Sequence, residues 1–223
     1  MEPGAYYCPR ILIQFISKLF IVSNRLIERV WMRGEEKYRT ILNAAKQVFA
    51  REGFYNSKVS EIAREAHVAD GTIYLYFKNK DDILISLFEE ELTRIIKLVK
   101  NGLENIVDPC QKIIKFCEIH LAMVESDKPL AEVIQVELRQ SNKFMREYKN
   151  KLFLSYLNIM AEIIIDGQQQ GIFRKDAKPE IASRVIFGSL DELSTYLITS
   201  KRKRFDVNDI AKEVAGYFIN GLC

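Results

Sequence analysis

The sequence predicts an all-α protein: a short three-helix unit followed by longer helices over residues 81–222. Three observations point there. Glycine (10) and proline (5) are scarce for 223 residues, which disfavours a turn-rich β fold. From residue 36 onward, apolar side chains recur at three- and four-residue spacing. The breaks fall on helix-stop and helix-start residues: Asp108-Pro109, Asp127-Lys128-Pro129, Gly167 to Gly171, Lys178-Pro179 and Lys201–Asp206.

Composition narrows the class further. With 48% hydrophobic and 28% charged residues, the chain can bury a core and is not a disordered one. Its four cysteines (Cys8, Cys110, Cys117, Cys223) form no CxxC pair, which fits a reducing compartment. The two histidines, His67 and His120, are too far apart in sequence to make a local metal site. The net charge of +3 belongs to residues 1–34, which hold five basic and two acidic side chains. The rest of the chain is neutral, so nucleic-acid binding would need a local patch.

The N-terminal stretch, residues 1–34, stands apart as an extension. Its apolar segment Ile11–Val22 is about 12 residues long, short of the ~20 that span a bilayer, and Gln14, Ser17 and Lys18 interrupt it. Arg10 precedes it as in a signal peptide, but no small-x-small cleavage site follows before Arg25, Glu28 and Arg29. The sequence therefore predicts a cytoplasmic protein with no membrane partner. Glu28-Arg29-Val30 can be encoded by a purine-rich stretch of the kind that precedes a bacterial start codon. Translation is accordingly expected to begin at Met32 or nearby.

The three-helix unit begins with a helix over 36–52, whose inner face carries Ile41, Ala45, Val48 and Phe49. Gly53 follows where a left-handed residue closes a helix. Ser57 is the expected cap of a second helix, which buries Val59, Ile62, Ala63 and Ala66. After the tight connection from Ala66 to Gly71, a third short helix is expected from about Asp70 to Phe77, with Ile73 and Phe77 in the core. Asn79 and Asp82 then resemble a capping box that opens a long helix carrying Ile83, Leu84, Leu87, Phe88, Leu92, Ile95 and Ile96. Two short helices behind a supporting one make a helix-turn-helix, whose second helix can enter a major groove. Residues 35–80 hold eight basic and six acidic side chains. Short helical hairpins also occur in enzymes, so the pattern alone leaves both uses open.

The run Val59-Ser60-Glu61-Ile62-Ala63, followed by Val68-Ala69-Asp70-Gly71-Thr72-Ile73-Tyr74-Leu75-Tyr76-Phe77-Lys78-Asn79-Lys80, resembles the DNA-binding signature of the TetR family of bacterial repressors. The resemblance implies a DNA-binding domain over 35–95 and a helical ligand-binding and dimerisation domain over 96–223. It implies DNA contacts from Lys58, Ser60, Ala69, Asp70, Gly71, Thr72, Tyr74, Tyr76, Lys78 and Lys80. These roles make chemical sense. Gly71 allows close backbone approach at the start of the reading helix, and Thr72 adds a hydroxyl beside it. Tyr76 would reach the sugar-phosphate backbone with its phenol, and Lys80 would hold a phosphate as a point charge. Tyr74 belongs either at the groove or in the packing. Two residues depart from the family pattern. His67 stands where glycine is usual, at a position expected to have φ > 0. Ala69 stands where serine usually caps, so Asp70 is expected to cap instead, or else to accept from a cytosine amino group.

In the remaining chain no phosphate loop, Ser-His-Asp set or metal cluster appears, so no enzyme, metal or cofactor is expected. The last two helices, about Pro179–Thr199 and Val207–Leu222, carry broad apolar stripes. One runs from Ile181, Val185 and Phe187 to Tyr196 and Leu197; the other includes Ile210, Val214, Tyr217, Phe218 and Leu222. In the family these helices pair about a twofold axis, and a homodimer suits a palindromic operator in double-stranded DNA. Lys201-Arg202-Lys203-Arg204 reads as a solvated loop. Phe116, Ile119, His120, Met123, Val133, Val136, Phe144, Phe153, Tyr156, Leu157 and Met160 supply either core or an adaptable apolar cavity.

Longer strings over Ala69–Lys80, Asp82–Phe88, Val136–Asn142 and Ile186–Glu192 resemble the branch of the TetR family that represses fatty-acid degradation. That branch is released from DNA by long-chain acyl-coenzyme A. The resemblance implies acyl-coenzyme A as effector, or a similar hydrophobic ligand such as a drug or another lipid. Arg139 is the candidate for a coenzyme phosphate. Gln140 and Asn142 lie beside it, and Phe187 is the candidate acyl contact. The fold class is then an all-α chain with an N-terminal helix-turn-helix domain and a C-terminal ligand-binding and dimerisation domain.

Overall fold

The computed structural model describes residues 34–134, 151–200 and 205–223. Among them are nine helices: α1 (34–52), α2 (Val59–Glu65), α3 (Asp70–Ile73), α4 (Lys80–Leu103), α5 (Pro109–Ser126), α6 (Lys128–Glu132), α7 (Lys151–Gln169), α8 (Pro179–Thr199) and α9 (Val207–Leu222). Residues 1–33 lie outside the described residues, and with them the apolar segment and the proposed start at Met32.

The breaks fall where the sequence places them, for the stated reasons. Gly53 (φ 74°) ends α1 in the left-handed region, which costs glycine little. Asp108 accepts from the backbone N–H groups of Cys110 and Gln111, and Pro109 takes the first helical position of α5. Asp206 caps α9 in the same way, through Asn208 N–H. The caps of α2 and α4 differ from expectation. Ser57 does not cap α2; it is buried and donates to the Phe54 carbonyl (2.8 Å). Lys58 takes the cap position, and Glu61 accepts from its N–H (2.8 Å). At α4, Asn79 accepts from Asp82 N–H (2.9 Å) as expected, but Asp82 reaches one residue further back, to Lys78 N–H (2.8 Å).

Two hydrophobic cores meet inside one helix. Ile41, Val48, Phe49, Ile62, Ile73 and Phe77 pack with Ile83, Leu84 and Leu87 of the first turns of α4. From Phe88 onward, α4 packs against α5 and α7, and these form a second cluster together with α8 and α9. Val133, just past α6, is buried in the first core, not the second. Of the two roles its apolar character allows, core or cavity lining, Val133 takes the core one.

A salt bridge bolts the same junction. Lys46 on α1 reaches Asp127 at 2.6 Å, with both side chains largely buried. Asp127 closes α5 by donating to the Met123 carbonyl, and it opens α6 by accepting from Leu130 N–H (3.1 Å). The segment α5–α6 is thereby fixed to the head by a charge pair and an apolar plug.

Candidate nucleic-acid interface and effector site

The head is built from α1 to α3 and the start of α4. Val68 N–H donates to the Ala63 carbonyl across the turn between α2 and α3, and His67 holds φ 53° there. Histidine thus occupies the left-handed position where glycine was the expected residue. α3 has one α-helical turn. The chain then tightens, with Leu75 N–H donating to Thr72 and Tyr76 N–H to Ile73, until Phe77 N–H returns to Ile73. Ile73 and Phe77 are buried, as predicted, and Phe77 stacks on Tyr38 at 5.1 Å.

Most residues expected at DNA are on the surface of this unit. Lys58, Ser60, Ala69, Asp70, Gly71, Tyr74 and Lys78 are exposed, and Thr72 and Tyr76 are half-buried. Tyr74 resolves to the outside, 59% exposed. Tyr76 leans on Tyr38, 6.5 Å between ring centres. Asp70 does not cap α3: Ala69 holds that position and no side chain caps the helix. The Asp70 carboxylate stands at the first position of the helix, exposed. A Cβ added at Gly71 would meet no atom of the chain within 4 Å. Nothing among the described residues requires glycine there.

Lys80 is the exception. Its Nζ donates to the carbonyls of Phe54 (2.5 Å), Ser57 (2.9 Å) and Tyr55 (3.1 Å), and it sits 4.6 Å over the Phe54 ring. Three ammonium protons meet three carbonyls, which satisfies the donor within the chain. Lys80 therefore ties the α1–α2 loop to the start of α4. Lys80→Met is expected to cost about 2 kcal/mol of stability, because charged hydrogen bonds to these carbonyls are lost. Urea unfolding measures that loss. For the folded fraction, the slope of log affinity for DNA against log salt should stay unchanged, where loss of a phosphate contact would lower it by about one.

In the C-terminal domain Phe187 joins an aromatic cluster. It packs edge-on against Phe153 (5.1 Å between ring centres), His120 (6.1 Å) and Tyr156 (6.3 Å), and Phe116 lies 5.3 Å from Tyr156. A single polar chain runs through it. Ser194 Oγ donates to the Leu190 carbonyl (2.7 Å), so it accepts from His120 Nε2–H across a long 3.4 Å. That leaves Nδ1 to accept from the Tyr156 hydroxyl at 2.6 Å. The ring is neutral in this arrangement, and burial pushes its pKa down to about 4. Burial likewise pushes the Tyr156 phenol up. Sequence reasoning read His120 and Tyr156 as core or cavity lining and missed their bond; residues 36 apart in sequence carry no signal of it.

The pH consequence has a definite sign. The folded state refuses a proton that the unfolded chain takes up between pH 6.5 and about 4. Stability is therefore complete above pH 6.5 and falls as pH drops through that window, by on the order of 3 kcal/mol in all. Urea unfolding at pH 5.0 and 6.5 measures the slope, which His120→Gln should flatten.

Arg139, Gln140 and Asn142, the remaining ligand candidates, lie outside the described residues, as do Val136 and Phe144. Among the described residues, no helix is long and apolar enough to cross a membrane. No group of three or more His, Cys, Asp or Glu side chains there is placed to hold a metal ion.

A helix-turn-helix head on an all-helical body with an aromatic interior is the build of a one-component DNA-binding regulator. The family of bacterial regulatory proteins named for TetR matches residues 41–87, and the YsiA-like C-terminal region of that family matches residues 88–221. The chain belongs to the TetR family. It is 38% identical over 186 residues to the fatty acid metabolism regulator protein of Bacillus subtilis strain 168, covering 83% of this chain and 95% of that one. The fatty acid degradation regulator FadR of Bacillus halodurans has a similar structure, with a TM-score of 0.76 and 37% identity over 83% of this chain and all of the other. FadR of Bacillus subtilis, solved in complex with stearoyl-CoA, matches with the same TM-score and coverage at 36% identity.

Proposed function

We propose that this chain is a cytoplasmic repressor of fatty-acid degradation genes. It binds a palindromic operator in double-stranded DNA as a homodimer, and long-chain acyl-coenzyme A releases it. The observation that carries the effector assignment is the likeness, over 83% of this chain, to a regulator solved with stearoyl-CoA. The aromatic cluster around Phe187 suits an acyl chain, and Arg139, Gln140 and Asn142 are the proposed contacts to the coenzyme.

An effector can release DNA only by binding the non-operator arrangement more tightly. Two physical links connect effector domain and head: α4, which runs through both cores, and α6 with its Lys46–Asp127 bridge. Acyl insertion that displaces either would change the separation of the paired heads.

Two measurements test this. In a gel shift on the chain's own promoter, stearoyl-CoA should release the protein, while free coenzyme A should not. Persistent binding under stearoyl-CoA would remove this effector and leave a repressor of another hydrophobic ligand. Gly71→Ala separates DNA binding from folding. The space beside Gly71 is empty, so unfolding should be unchanged or up to about 1 kcal/mol harder. DNA affinity should fall at least about tenfold, or 1.4 kcal/mol, if the backbone approaches the duplex there.

A further inference from the structure

Within the head, the large apolar side chains of α1 to α3 are buried almost without exception. Leu75 is the departure. It is 81% exposed, and nothing in its chemistry accounts for that. Tyr55 and Tyr74 are also exposed, but each carries a hydroxyl that water satisfies. Leu75 carries only hydrocarbon. It is also not an isolated surface leucine. It follows Tyr74, itself exposed, directly after α3, so two consecutive large side chains stand in solvent. The exposed cations Lys58 and Lys78 belong to the same helix-turn-helix, and Asp70 stands at its other end. Exposed hydrocarbon among cations suits a surface that is anionic at its rim and offers apolar groups within. Duplex DNA is such a surface. In its major groove the apolar group presented by the bases is the C5-methyl of thymine.

We propose that Leu75 is a specificity-determining residue that reads a thymine methyl group in each operator half-site. This rests on the DNA-binding function proposed above. Thr72, Gly71 and the lysines position the head through the phosphates and carry little sequence information. Leu75 makes no hydrogen bond with its side chain, so its contribution is a packing contact that cytosine, which lacks the methyl, cannot return. Because the side chain touches little of its own protein, its replacement leaves the head intact.

Deoxyuridine isolates the contact, since it differs from thymidine only by the methyl. The probe is the duplex that the full chain selects from a random-sequence pool, with each thymine of one half-site replaced in turn by deoxyuridine. For the wild-type chain, one position should lose about fourfold in affinity, the worth of one buried methylene. Leu75→Ala should bind the parent duplex more weakly by a similar factor and show no further loss at that position. Leu75→Gln should do the same, and both variants should unfold at the wild-type urea midpoint. Indifference of the wild type to every substitution would overturn the inference, as would an undiminished methyl preference in Leu75→Ala. In either case salt-dependent binding to the selected duplex would persist. If no duplex is selected at all, the DNA-binding function fails first and takes this inference with it.

Discussion

Lys46→Met is expected to lower the unfolding free energy by about 3 kcal/mol, a large share of the ~5–15 kcal/mol typical of a domain. The bridge to Asp127 is short (2.6 Å), and the two side chains keep only 11% and 24% of their exposure. Removing one partner leaves the other charge poorly solvated, and that penalty exceeds what the pair gains from attraction. Asp127 retains some water contact, so the expected figure sits at the lower end of the range for fully buried pairs. Asp127→Asn should cost less, because asparagine still caps α6 through Leu130 N–H. The double variant should be more stable than the sum of the single losses predicts, which is the signature of a direct pair. The measurement is the urea midpoint at constant slope. A midpoint shift worth less than about 1 kcal/mol in Lys46→Met would show that the bridge is a surface contact in effect.

Val185→Glu is expected to turn the protein into a monomer and to weaken operator binding by about 100-fold or more, since a single head has only half of the phosphate and base contacts. Val185 is 53% exposed and lies on α8 with Ile181, 58% exposed, while Tyr217 on α9 is 68% exposed. Cβ atoms added at Gly188 on α8, or at Gly216 and Gly221 on α9, would meet nothing within 4 Å among the described residues. An outward face with large apolar side chains beside bare backbone allows another helix pair to approach closely. A buried carboxylate there has no partner and forbids closure. Because Val185 makes few contacts within its own chain, folding should survive. Analytical ultracentrifugation reads the mass and a gel shift reads the affinity. A dimer that persists with full DNA affinity would rule out this face as the proposed twofold interface.

The apolar stripes of the last two helices show how far periodicity reaches. Their spacing located both helices at Pro179–Thr199 and Val207–Leu222, as observed. It could not divide the stripe. Leu190, Leu197, Ile210, Val214 and Leu222 are buried within the chain, while Ile181, Val185 and Tyr217 are left outside. Both sets are apolar, so only the placement of α5 and α7 against α8 and α9 separates the buried side chains from the exposed ones. The reading head was more legible because its motif is compact. Tyr74 had two roles open from sequence, and its exposure removes the packing one.

What the sequence determined by itself is what acts over a few residues. Helix starts at Asp108-Pro109 and Asp206, the stop at Gly53 and the left-handed bend at His67 all follow from φ preferences and from side chains that reach three or four residues away. Motif spacing in the head is likewise local. What the tertiary structure decided is which polar groups meet across the fold. Lys80 holds carbonyls 23 to 26 residues away, His120 meets Tyr156 and Ser194 on two other helices, and Lys46 finds Asp127 across 81 residues. A lysine's charge is written in the chain, but its partner is set by how helices pack. Nothing in the spacing of residues along one helix encodes the distance to another.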